Sequence, residues 1–107
     1  MAYLADGIKA VAATGTAEAL ATSGDYRWVY VMAHQDNTGQ CHIGASTVVS
    51  AVDGTARGML VPDQTDHAAS AVAFVPLRID GPGSLSDLYV DAVTNADSVT
   101  WFALLES

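Results

Sequence analysis

Three histidines, one cysteine and twelve acids are the chain's main stock of reactive side chains, and their spacing limits what each could do. His34 and His42 flank the polar cluster Asp36-Asn37-Thr38-Gly39. Read as the two ends of a hairpin with Asp36 opposite Gly39, His42 faces Ala33. A slip of one residue would set the two imidazoles opposite each other, because side chains change face when register shifts by one. With Asp36 as a third ligand, that slipped register would make a zinc-type site. The favoured reading is plainer: two histidines at a turn, in solvent or at a subunit contact. Asp63 and Asp66, beside His67 in the loop after Pro62, are oxygen ligands of the kind Ca²⁺ takes. They lack a third carboxylate at fixed spacing and a glycine at the sharp turn, so a solvated loop is favoured. Asp80 and Asp87, across Gly-Pro-Gly-Ser-Leu-Ser, read the same way, as turn chemistry before a cation site.

The nucleophiles are no more organised. Ser46, Thr47 and Ser50 follow the histidine pair but sit in no Gly-x-Ser-x-Gly turn. Cys41 lies in an apolar run beside Ile43 and reads as a small buried hydrophobe; His42 next to it points to the opposite face of a strand. The sequence shows no phosphate loop, no dinucleotide fingerprint and no convincing carboxylate pair. Trp28, Tyr30, Tyr89, Trp101 and Phe102 could stack on a sugar, yet aromatics in strands more often serve a core or an interface. The residues therefore predict a protein that is not an enzyme, with no catalytic residue, no metal ligand and no cofactor.

Positioning these groups falls to a small domain. At 107 residues the chain is long enough for one domain and too short for two. Only 15% of residues are charged, well below the usual quarter, a composition common in subunits that pack against neighbours. The formal charge is −8, with the four bases Lys9, Arg27, Arg57 and Arg78 scattered. No basic patch exists to neutralise phosphates, and an anionic membrane surface would repel the chain, so neither nucleic acid nor membrane is an expected partner. Residues 1–10 lack a basic lead and carry Asp6 where a secretion signal needs its apolar centre. The protein is thus expected to stay in the producing cell until lysis.

The pattern of elements is all-β. Residues 1–14 read either as a marginal helix, from the spacing of Leu4, Ile8 and Val11 broken by Gly7, or as an extended arm that docks on a neighbour; the arm is the reading adopted. Residues 15–23 predict a short strand. Tyr26–His34, rich in aromatic and β-branched types, predicts a strand that returns through Gln40–Gly44 as a hairpin, with Gly39 supplying a positive φ. Both faces of residues 26–33 are apolar, so the strand should be covered on both sides. Residues 49–69 read as loop with a turn at Asp53-Gly54 and a short edge strand at Met59–Val61. Residues 70–80 predict a strand interrupted by Pro76, and 81–84 a loop. Ser86–Val93 and Asp97–Leu105 predict a closing hairpin, with Asp87, Tyr89 and Asp91 on its exposed face. Seven to eight short antiparallel strands predict a single-domain β-sandwich, jelly-roll-like, over residues 15–107, preceded by the arm of residues 1–14.

Three segments carry a resemblance. Gly15-Thr16-Ala17, Asn37-Thr38-Gly39 with Gly44-Ala45-Ser46-Thr47-Val48, and Leu85-Ser86-Asp87-Leu88-Tyr89-Val90-Asp91 resemble, in order and spacing, motifs of small structural proteins of tailed bacteriophages. The likeness spans roughly residues 15–105 and is loose over 49–80, where Val61-Pro62-Asp63 stands in place of a Pro-Gly turn. It implies a β-sandwich virion protein, most simply a capsid decoration (cement) protein that binds the outside of the head. Its implied partners are the major capsid protein and further copies of itself, trimeric if they occupy capsid threefold positions. The implied location is the virion, assembled in the host cytoplasm. A head-fibre or tail-attachment adaptor, and a host-surface glycan-binding module, are the alternatives.

Overall fold

The computed structural model describes residues 1–51, 54–62 and 76–106. Among the described residues eight strands follow one another: β1 (Ala2–Ala10), β2 (Glu18–Ala19), β3 (Asp25–Ala33), β4 (Cys41–Gly44), β5 (Met59–Leu60), β6 (Leu77–Ser84), β7 (Tyr89–Ala92) and β8 (Ser98–Glu106). A 3-10 turn at Leu85–Asp87 joins β6 to β7. The strands form two four-stranded sheets, ordered β1-β8-β3-β6 and β2-β7-β4-β5.

This order has a simple origin. β1 pairs with β8, β2 with β7, β3 with β6 and β4 with β5, all antiparallel, so the chain is one long hairpin wound over on itself. Contacts of β3 with β8 and of β4 with β7 then close the sheets. That winding is a jelly roll, as the spacing of short strands predicted. Its dimensions, 41 × 33 × 20 Å, suit two layers stacked about 10 Å apart.

The core between the layers is built from small side chains. Val29, Val31 and Ala33 of β3 and Val99, Ala103 and Leu105 of β8 face Cys41 and Ile43 of β4 and Val90 and Ala92 of β7, and all are buried. Leu85 in the 3-10 turn is wholly buried and abuts Gly24. Gly24 has φ +129° and little room for a Cβ, with Leu85 and Leu105 both close by.

Several sequence expectations are corrected. The arm expected over residues 1–14 is a sheet strand: all nine residues of β1 pair with β8. Gly7, which spoke against a helix, is needed for another reason, since the Trp101 ring lies over it and a Cβ there would come within 2.7 Å of the indole. The two expected hairpins do not form. β3 and β4 belong to different sheets, as do β7 and β8, so each polar cluster is a corner where the chain changes layer. Gly39 does not adopt a positive φ; its space is restricted instead by Thr94 and Val93. Residues 81–84, expected as a loop, complete β6, where Gly81 lies against the backbone carbonyl of Tyr26 beside a bulge in β3. The expected edge strand at Met59–Val61 is present as β5, at the margin of the second sheet. Asp53 and the first part of the strand expected over 70–80 lie outside the described residues.

One residue in the β7–β8 corner is held in a costly conformation. Ala96 has φ +71°, and its backbone N–H donates to Val11 O, which fixes it there. A Cβ in the left-handed region costs about 1–2 kcal/mol, while glycine loses part of that gain to chain entropy. Ala96→Gly is therefore expected to raise stability by about 0.5–1 kcal/mol, measured as a shift in the urea midpoint at unchanged slope.

Candidate functional site

The structure separates the histidines. His34 stands just past β3, half-buried, where its Nδ1 accepts the Asp36 N–H at 3.1 Å. His42 is in β4 of the other sheet. Because β3 and β4 do not pair, neither hairpin register considered above exists. Among the described residues no three His, Cys, Asp or Glu side chains gather to hold a metal ion. Asp63, Asp66 and His67 lie outside the described residues. Asp80 is paired with Arg78 on β6, and Asp87 is exposed in the 3-10 turn. Ser46 and Thr47 are exposed, and Cys41 is buried in the core.

Ser50, His42 and Asp91 do meet, in a buried cluster on the outer side of the second sheet. His42 and Asp91 are cross-strand neighbours on β4 and β7. Both are buried, His42 7% and Asp91 0% exposed. His42 Nδ1 lies 2.9 Å from Ser50 Oγ, and that hydroxyl donates to the Gln40 carbonyl at 3.1 Å. The hydroxyl thus bridges the imidazole and a backbone carbonyl, and the direction of its bond to the imidazole follows the tautomer of His42. Asp91 accepts the N–H of Gly15 on Oδ1 at 3.0 Å and the N–H of Ser50 on Oδ2 at 2.9 Å. The trio resembles a catalytic grouping in composition, while its hydrogen bonds make it a staple between two loops.

The neighbouring corner is built alike. Asn37 uses its side-chain amide as a strand would use its backbone: Nδ2 donates to Ser98 O at 2.8 Å and Oδ1 accepts Ser98 N at 2.8 Å. The Asp97 carboxylate accepts the N–H groups of Thr38 and Gly39 at 2.9–3.2 Å. Motif residues from all three segments behind the resemblance thus form the structural joint of the fold, together with Asp97 and Ser98.

The surface open to a partner lies elsewhere, on the outer face of the first sheet. Cross-strand register arranges it in rows. Asp6, Phe102, Tyr30 and Arg78 form one row across β1, β8, β3 and β6, and Leu4, Leu104, Trp28 and Asp80 form the next. Leu4, Ile8 and Phe102 are 60%, 64% and 44% exposed. Trp28 packs edge-on to Tyr30 and tilted against Phe102, with ring centroids 5.4 and 5.5 Å apart. The Arg78 guanidinium lies 5.9 Å from the Trp28 ring and 5.5 Å from the Tyr30 ring, and it is held by Asp80 at 2.7 Å and the Tyr30 hydroxyl at 2.9 Å. A cavity of about 480 Å³ opens at one end of this face between Met32, Pro76, Trp101 and Phe102. Both faces of β3 are apolar, as the sequence predicted, but the cover expected on both sides is found on one: the second sheet packs on its valines, and within the chain its aromatic side stays partly open.

The chain matches no protein-family model, no curated protein and no solved structure.

Two outcomes test the buried cluster. Asp91→Asn replaces one acceptor oxygen with a donor that faces a backbone N–H, so it is expected to cost about 1–3 kcal/mol in chemical denaturation. Burial holds the His42 pKa below its ordinary value, against a weaker opposing pull from Asp91. The unfolded chain then binds the proton first as pH falls, so stability is full above the unfolded value of about 6.5 and declines below it. Urea midpoints measured from neutral to mildly acid pH should show this decline, and His42→Gln should flatten it.

Proposed function

We propose that this protein is a structural component of a bacteriophage particle, a decoration protein that binds the outside of the head and reinforces it by surface contact. The observation that carries the reading is the placing of exposed apolar side chains in two separate patches. One comprises Leu4, Ile8 and Phe102 on the first sheet; the other is Met59 and Leu60, 62% and 49% exposed, on β5 at the margin of the second. A protein that cements a shell must hold two neighbours at once, and two patches on a rigid body give it that geometry. The three-segment resemblance to phage structural proteins supports the same reading. Its charge of −8 would also keep the body away from packaged DNA.

The mechanism is mass action. A protein that binds the assembled lattice better than its precursors or fragments shifts the equilibrium towards the lattice. A stable contact requires roughly 1,000 Å² or more of buried surface per site. Major capsid protein is the partner in this reading, and the virion the location. The glycan-binding alternative is weaker, because Arg78 already occupies ring faces that a sugar would stack on.

Deleting residues 1–14 would remove a strand of the first sheet, so surface substitution is the cleaner probe. Added to purified heads that lack it, the protein should co-sediment with them, and Met59→Glu with Leu60→Glu should weaken that binding by about tenfold or more. Recovery of the protein with separated tails, or from no particle fraction at all, would overturn the reading.

A further inference from the structure

We propose that the outer face of the β1-β8-β3-β6 sheet is a homodimer interface, in which two copies pack face to face about a twofold axis running along the strands. A dimer formed here covers the first-sheet patch and presents two β5 patches, one from each copy, so the two contacts a shell protein needs then come from the pair; the proposal itself rests on the row arrangement of this face. A twofold axis along the strands, between β8 and β3, keeps each row at its own level and reverses its order. β1 of one copy then lies over β6 of the second, and β8 over β3. In the first row, Asp6 comes to face Arg78 of the second copy and Phe102 comes to face Tyr30, each contact occurring twice. In the next row Leu104 meets Trp28, and at the two edges Leu4 faces Asp80, whose carboxylate stays on its own Arg78.

The charges fit this arrangement. Arg27 is paired with Glu106 and Arg78 with Asp80, both within the chain. Asp6 has no ion-pair partner among the described residues, and the proposed axis brings it to the guanidinium at the far edge of the facing sheet. The residue types are those concentrated in protein interfaces, with Trp, Tyr, Phe, Met and Arg on the face and lysine absent from its outward positions. Lys9 points to the inner side, where it pairs with Glu18 at 3.1 Å.

The area is sufficient. Nine-residue strands at about 3.4 Å per residue and four strands at about 4.8 Å spacing give a face of roughly 30 by 19 Å. Two such faces bury roughly 1,200 Å² in total, the lower end of the range for a specific complex. Sheets packed with their strands nearly aligned, about 30° apart, are a common solution for twisted sheets and agree with an axis along the strands.

Sedimentation equilibrium of the intact protein from about 1 to 100 µM tests the proposal, a range that spans the affinities expected of such an interface. The expected result is a monomer–dimer equilibrium. Phe102→Glu should give a monomer. Asp6→Arg alone and Arg78→Glu alone should each weaken the dimer by about tenfold or more, and the double variant should recover most of that loss. Circular dichroism and thermal midpoints establish that each surface variant is folded. A wild-type monomer across the range, a trimer, a dimer that survives Phe102→Glu, or a double variant no tighter than the singles would each overturn it.

Discussion

A chain wound as a jelly roll must change sheets repeatedly, and at each corner backbone groups leave one ladder before they join the next. Unpaired groups in such places cost about as much as a lost hydrogen bond each. This protein meets the demand with side chains. Asp97 takes two N–H groups of the β3–β4 corner, Asn37 supplies both halves of a ladder rung to Ser98, and Asp91 gathers Gly15 and Ser50. Glu18 does the same after β1, accepting the N–H groups of Ala12 and Ala13. The rest of the fold relies on these joints, because the strands they connect are short: β2 and β5 have two residues each and β4 and β7 four.

Between the sheets the side chains are small, and outside them they are large. Valine, alanine and a few leucines fill most of the interior, with Tyr26 buried among them and Trp101 packed against them, whereas Trp28, Tyr30 and Phe102 stand on the outer face of the first sheet. Aromatics supply the most apolar area per residue, yet these add little to the chain's own core. Their placement suits a body whose rigidity comes from polar joints and whose contact area is turned outward.

The sequence revealed the architecture better than the connections. Strand number, the sandwich class and the doubly apolar β3 were all legible, because periodicity reports what a strand faces. Pairing was not, since a polar cluster such as Asp36–Gly39 looks the same whether the chain folds back within a sheet or crosses to another. Asp91 was assigned to solvent by alternation with Val90 and Ala92, and it does lie on the outer side of its sheet. It is buried all the same, bonded to the N–H groups of Ser50 and Gly15, and nothing near Asp91 in sequence signals those partners. The Gly15 and Asn37 motifs were visible as patterns, but their partners lie 76 and 61 residues away, beyond the reach of local reading.

The pairing of β1 with β8 has a consequence for synthesis. The ladder from Ala2↔Glu106 to Ala10↔Ser98 joins two strands with the rest of the sandwich between them in the chain. On the ribosome, β1 has no strand to pair with until residues 98–106 have emerged, so the first sheet can close only late. Until then Leu4 and Ile8 sit in a strand with neither edge satisfied, a state in which nascent β chains are prone to associate with one another.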